Sequence, residues 1–381
     1  MLFYEFLRFV ANMSRRLLVL MGLAVVSLAL YHASGYGFSA LFFWTDRYMA
    51  VDVPNFDLHG SVAYYGLMAV RRLAGFGVMA FLFVSGYFIA FAAGKKQTVS
   101  WQIIRARVNG LIWPYLFWSL AIFAFQFVAF GRVDAPLVYG RRLLLGEVIG
   151  SYYYIPLLIQ LYVLSPFLVP LARDRWKLLL TISAAIQLTV QLLRYFALFG
   201  WDFPGLEQLI DWTPIWFFPI RIFWFTLGMV FGFHYREFRD FLQRTRWMWL
   251  GAAVTAYILT LVEYEWLLTV VDRPWIGAFS TVSTSLYALT FIVAFIAFDK
   301  VKYPYAKQLS DLGAKAFGIY LLHDMAMNTV GTALYFWAPW VLGNQLLYQG
   351  ILIAVGLFTP LALMTLVQKT PARRSYKYLF G

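Results

Sequence analysis

A histidine in the second half of an apolar run is the residue of this chain best placed to do chemistry. His32 lies in ALYHASGYG, within residues 17–38, a stretch long enough to cross a membrane as a helix. An ionisable group in hydrocarbon is costly, so it marks either function or pairing inside a bundle. Imidazole takes a proton near neutral pH and suits the activation of a hydroxyl. The alternative is a histidine that only hydrogen-bonds a neighbouring helix. A second such place is AFGIYLLHD, where Tyr320, His323 and Asp324 fall in the apolar residues 317–340. Asp324 is the one acid well inside an apolar run; it can orient a histidine or pair with an arginine. Cysteine is absent, which removes thiolate nucleophiles, disulfides and cysteine-based metal or iron–sulfur sites. No G-x-S-x-G elbow occurs. The four histidines, His32, His59, His234 and His323, are scattered over separate segments, so no metal site is expected.

The elements that must position these groups are membrane helices. Of 381 residues, 62% are hydrophobic and 13% charged, against about 45–50% and about 25% in soluble domains. The expected fold is all-α: a polytopic bundle of about ten transmembrane helices, forming one integral membrane domain over residues 1–381. The spans run near 17–38, 73–93, 111–130, 152–171, 178–199, 215–233, 247–264, 279–298, 317–340 and 346–367. The seventh is the weakest, because Glu263 and Glu265 crowd its end. The first is expected to be a retained signal-anchor helix behind Arg15 and Arg16, and only a short tail follows the last.

The formal net charge of +13 is a topology signal, because the basic residues are spread between spans rather than gathered on one face. No nucleic-acid partner is expected. Lys95, Lys96, Arg105 and Arg107 follow the second span, and Arg173, Arg175 and Lys177 the fourth. Arg236, Arg239, Arg244 and Arg246 follow the sixth, Lys300, Lys302, Lys307 and Lys315 the eighth, and Lys369, Arg373, Arg374 and Lys377 close the chain. Acids dominate the alternate loops: Asp46, Asp52 and Asp57, then Asp202, Glu207 and Asp211, then Glu263, Glu265 and Asp272. Both termini are therefore expected in the cytoplasm, in a cell inner (plasma) membrane. One loop breaks the rule with Arg132, Arg141 and Arg142. The outer loops near 39–72 and 131–151 are the longest, and mixed charge beside Trp44, Tyr48 and Tyr64 suits a wet cavity as well as an ordinary interfacial belt.

Five stretches, in order, resemble the acyltransferase 3 family of integral membrane acyltransferases. They are ALYHASGYG; FGVMAFLFVSGYFIAF with Ser85, Gly86 and Tyr87; RARVNGLIWPYLFWS with Arg107, Pro114, Tyr115 and Trp118; SYYYIPLLIQLYVLSPFL with Pro156, Tyr162, Ser165 and Pro166; and AFGIYLLHD with Gly318, Ile319, Tyr320 and His323. The resemblance implies a helical bundle around a central cavity. It implies transfer of an acyl group, commonly acetyl, from cytoplasmic acyl-CoA to a hydroxyl of an extracytoplasmic carbohydrate or glycolipid, with no cofactor beyond acyl-CoA as co-substrate. The partners are then acyl-CoA, that acceptor and membrane lipids. His32 is the expected catalytic base or acyl-accepting nucleophile, supported by Tyr320, His323 and Asp324. Arg105 and Arg107 sit where CoA phosphates would arrive, and guanidinium suits phosphate. Arg71 and Arg72, at the outer boundary of the second span, either hold an anionic acceptor or anchor the helix. The rival reading is a transporter or flippase of a glycolipid or polysaccharide using the same cavity. The chain departs from the family pattern at Met21, where an arginine is usual, and at Gly110, where a basic residue is frequent.

Overall fold

The computed structural model describes residues 2–201, 203–277, 280–301 and 303–381. Asp202, Phe279 and Lys302, used above to define loops and a span end, lie outside the described residues. Long helices follow the apolar stretches: α1 Leu2–Phe42, α2 Val62–Ala93, α3 Trp101–Phe130, α4 Tyr154–Asp174 and α5 Trp176–Leu198. They continue as α6 Ile222–Arg244, α7 Arg246–Val270, α8 Val282–Ala297, α9 Ala316–Trp337 and α10 Gln345–Lys369. No strand occurs among the described residues. Among the described residues seven helices, α1 to α5, α7 and α10, are long and apolar enough to cross a membrane by length and composition. Helix α8 is equally apolar at 16 residues, while α6 and α9 reach 23 and 22 residues with more polar sequences.

Several helix boundaries differ from the sequence expectation, among them the starts of α1 at Leu2 and α3 at Trp101, and three of the differences have a plain local reason. Helix α2 begins at Val62 rather than 73, because Ser61 caps it by accepting from the Tyr64 amide. That places Arg71 and Arg72 inside the helical run, just before a 3-10 turn at Ala74–Phe76. Helix α6 begins at Ile222 rather than 215, since Pro214 and Pro219 lie in the turns that precede it. Helix α7 continues past Glu263 and Glu265 to Val270 because both carboxylates are satisfied. Glu263 accepts from the Ser283 amide at 3.1 Å and from its hydroxyl, and Glu265 accepts from the Tyr64 hydroxyl at 2.7 Å.

The chain forms two compact units, and α2, α6 and α10 each contribute to both. The first unit comprises Met1–Phe81 and Phe238–Leu361. Its contacts fix helix directions. Arg71 bonds Tyr31 while Gly77 lies against Ser27 and Ala24, so α2 runs antiparallel to α1. His32 meets His323 and Trp44 meets Tyr335, so α9 runs parallel to α1. Arg16 bonds the end of α8, whose start lies beside Gly75, so α8 is antiparallel to α1. Gly331 lies against Tyr348 and Gly356 against Met327, so α10 is antiparallel to α9. A short helix, Ala306–Ala314, packs on α1 at very close range. A Cβ on Gly22 would strike the Leu309 carbonyl, and one on Gly313 the Leu18 carbonyl, so only glycine permits this approach.

The second unit comprises Leu82–Glu237 and Ala362–Gly381. Trp101 packs on Phe167 and Tyr115 on Tyr152, so α3 and α4 are antiparallel. Tyr162 packs on Phe225, and His234 bonds the Ala172 and Arg173 carbonyls at the end of α4, so α4 and α6 are parallel. Ser183 bonds Thr226 while Trp176 meets His234, so α5 is antiparallel to α6. Prolines inside α4 are absorbed locally: Pro170 cannot donate to the Pro166 carbonyl, and Thr98 donates to it instead at 2.6 Å. The arginines that broke the charge rule have acidic partners nearby. Arg142 and Arg132 both pair with Asp134, at 2.9 and 3.1 Å, and Arg141 with Glu147 at 3.5 Å.

Candidate active site

In the first unit, α1 and α9 bring His32, His323 and Asp324 together. The His32 Nδ1 lies 3.7 Å from Asp324 Oδ1, and the two imidazole rings are 5.0 Å apart edge to face. Parallel packing of α1 on α9 sets this: Asp324 adjoins His323, while Tyr36 follows His32 by one helical turn on the same face. The Tyr36 hydroxyl donates to Asp324 Oδ1 at 3.1 Å, and the Asn328 side chain hydrogen-bonds the Tyr36 oxygen.

The two histidines differ in access. The His32 side chain is 23% exposed, whereas His323 is 1% exposed. His323 Nδ1 lies 2.7 Å from the Tyr320 carbonyl, which can only accept, so Nδ1 carries the proton. Its Nε2 is buried with no hydrogen-bond partner among the described residues. Tyr320 thus enters the site through its backbone oxygen, with its ring 6.0 Å from the His323 ring. A proton on His32 Nδ1 faces Asp324 and leaves Nε2 as the basic nitrogen. The 3.7 Å separation exceeds a good hydrogen bond, and such contacts in a resting site tighten when substrate binds.

Arg71 and Arg72 lie in the same unit and are both engaged. The Arg71 guanidinium sits 4.1 Å over the Tyr31 ring and donates to the Tyr31 carbonyl at 3.1 Å and hydroxyl at 3.2 Å. Arg72 is buried, 4.2 Å over the Tyr264 ring. Arg105 and Arg107 belong to the second unit. Arg105 is exposed; Arg107 is half-buried, 5.9 Å over the Tyr162 ring. Among the described residues no group of three or more His, Cys, Asp or Glu could hold a metal ion.

Sequence reasoning passed over Tyr36, Asn328, Gln345, Tyr348 and Gln349. The signal for Tyr36 was its four-residue spacing from His32. Asn328 stands four residues from Asp324 in the same way, while Gln345, Tyr348 and Gln349 are uncharged and on another helix, so only packing brings them to this region.

Residues 19–365 match the profile of the acyltransferase domain family of type 3. The membrane-bound acyltransferase YfiQ of Bacillus subtilis strain 168 is 26% identical over 272 residues, 68% of this chain and 69% of that protein. A protein of Staphylococcus aureus strain MRSA252, named for export of poly-beta-1,6-N-acetyl-D-glucosamine, is 22% identical over 271 residues, 68% of this chain and 71% of that protein. Its counterpart in strain MSSA476 is 23% identical over the same length. No solved structure matches the chain.

Proposed function

The chain belongs to the acyltransferase 3 family of multi-pass membrane acyltransferases, and from that premise we propose that it is an O-acetyltransferase. The donor is acetyl-CoA on the cytoplasmic side, and the acceptor is a hydroxyl of an extracytoplasmic carbohydrate or glycolipid. The observation that carries this reading is the half-exposed His32 beside Asp324 in an otherwise apolar helix. His32 Nε2 takes the proton of the acceptor hydroxyl. The oxygen attacks the thioester carbonyl, the carbon–sulfur bond breaks, and CoA leaves as a thiol carrying the proton back from the imidazolium. Asp324 holds the ring in orientation and stabilises its cationic form, while Tyr36 and Asn328 hold the carboxylate and hydroxyl in place. The test is mass spectrometry of cell-surface glycans with and without the gene. Loss of an acetyl-sized mass supports transfer; an unaltered set of glycan masses overturns it.

A second reading, export of a polysaccharide, is favoured by the staphylococcal relatives and their names. The same measurement separates the two, since failed export removes the whole glycan from outside and accumulates it inside.

Arg105 and Arg107 are the proposed donor-phosphate contacts, motivated by their position before Pro114 and by guanidinium chemistry. Arg107→Ala is expected to raise the apparent KM for acetyl-CoA about 10- to 150-fold, the range for losing one charged hydrogen bond, with kcat little changed. Unaltered donor kinetics would remove Arg107 from the site.

The proposed orientation puts both termini in the cytoplasm of a cell whose inner membrane the protein spans. Reporter fusions after Asp57 and Glu207 should read as extracytoplasmic, and after Lys96 and Arg239 as cytoplasmic. Asp57 and Lys96 on one side would overturn it.

A further inference from the structure

Beside His32 the first unit presents a second set of polar groups, and it carries no formal charge. Gln345, Tyr348 and Gln349 are spaced three and four residues apart, so they share one face of α10. That face is turned onto α1 and α9 at two glycines. A Cβ on Gly37 would come within 2.6 Å of Gln349 Nε2 and 3.1 Å of Gln345 Oε1. A Cβ on Gly331 would come within 3.2 Å of the Tyr348 hydroxyl and 4.0 Å of Tyr36 Cδ1. Tyr348 therefore adjoins Tyr36, which bonds Asp324, which faces His32. The Tyr348 hydroxyl, Gln345 Oε1 and Gln349 Nε2 are all buried without a hydrogen-bond partner among the described residues. In front of this buried back, Asn328 is exposed, and Gln345 and Gln349 are half-exposed as residues. Buried polar atoms in native proteins are almost always paired, so a cluster of unpaired ones beside a reactive histidine points to something that pairs with them.

The chemistry of the set selects the ligand class. It offers amide N–H donors, amide oxygen acceptors and a hydroxyl that does both. The nearby cations are already committed: Arg71 to Tyr31 and Arg72 to the Tyr264 face. An anionic group here would meet the Asp324 carboxylate, while the two arginines of this unit lie against tyrosine rings. Sugar hydroxyls donate and accept at once and match side-chain amides without charge. We propose that Asn328, Gln345 and Gln349, backed by Tyr348, form the acceptor subsite, and that it takes a neutral polyhydroxylated saccharide unit rather than an acidic one. The proposal rests on the transfer reading for the word acceptor, and its test is separable from that reading.

The experiment is equilibrium binding to the full-length protein in lipid nanodiscs. The probes are two neutral hexasaccharides, maltohexaose and N-acetylchitohexaose, and the anionic hexagalacturonate. At least one neutral probe should bind about tenfold tighter than hexagalacturonate. Asn328→Leu and Gln349→Leu, on different helices so that one folding failure leaves the other, should each weaken that binding about three- to tenfold, the loss expected for one neutral hydrogen bond. Acetyl-CoA affinity serves as the folding control. Tighter binding of hexagalacturonate, no neutral binding at millimolar concentration, or variants that bind like the parent would each overturn the proposal; the last would leave the unpaired atoms to ordered water. Saccharide binding that needs Asn328 and Gln349 in a protein that transfers no acetyl group keeps the subsite and removes the transfer reading. His32-dependent transfer with undiminished saccharide binding in both variants does the reverse.

Discussion

His32→Gln is expected to lose roughly 10²–10⁴-fold in kcat, the contribution of a positioned general base, with acetyl-CoA affinity near that of the parent. Glutamine preserves much of the hydrogen-bonding shape but has no nitrogen basic enough to take a hydroxyl proton near neutral pH. His32→Ala should be no more active. The neighbouring groups give the comparison its force. Asp324→Asn keeps an acceptor for the Tyr36 hydroxyl, which donates at 3.1 Å, but withdraws the charge 3.7 Å from His32 Nδ1. It should lower kcat by less than His32→Gln and leave the donor KM unchanged. His323→Gln should cost stability as well as rate, because that ring is 1% exposed and tied to the Tyr320 carbonyl. Purified-protein turnover with all four variants is the measurement. If His32→Gln turns over like the parent, the base is elsewhere, and the basic nitrogen to examine next is His323 Nε2.

The helices were legible because their signal is local. A run of about 20 apolar residues has few structural options in a membrane, and the starts of α2 and α6 moved where capping and proline chemistry intervened, at Ser61 and at Pro214 and Pro219. His32 and Asp324 were legible because a titratable group in an apolar run is conspicuous. Their meeting across 292 positions was not, since it depends on α1 packing parallel to α9. The uncharged partners were harder still. A glutamine or tyrosine in an apolar helix is ordinary until its neighbours are known, and Gly37 and Gly331 reveal their purpose only when the side chains that fill their space are seen. Arg71 and Arg72 are the converse case, charged residues for which the sequence left an acceptor role and an anchoring role open. The structure sets each against an aromatic face inside the same unit, a contact that only packing reveals.

Arg16 was read as half of the basic pair ahead of a signal-anchor helix, and its surroundings predict a large structural effect. The residue is 9% exposed. It donates to the Phe295 carbonyl, to the Phe298 carbonyl at 2.5 Å, to the Asp299 carbonyl at 3.1 Å and to the Tyr303 hydroxyl at 2.8 Å. It also lies 4.8 Å from the Phe295 ring centre and 4.9 Å from that of Tyr303. The last carbonyls of a helix have no partner within it, and the helix dipole places negative potential there. Arg16 therefore closes the C-terminal end of α8 and ties it to α1. Arg16→Met keeps the length of the side chain but strands those carbonyls, which should cost roughly 3–5 kcal/mol. Arg16→Lys keeps the charge but cannot spread donors over separate carbonyls, so it should fall between. Thermal unfolding of the purified protein reads the difference directly. Turnover per folded molecule should change little, because Arg16 lies about 24 Å along α1 from His32. A variant that melts with the parent but binds acetyl-CoA poorly would reverse the assignment. Arg16 would then be the substrate-binding cation of this segment, in a chain where Met21 occupies the position at which the family usually places an arginine.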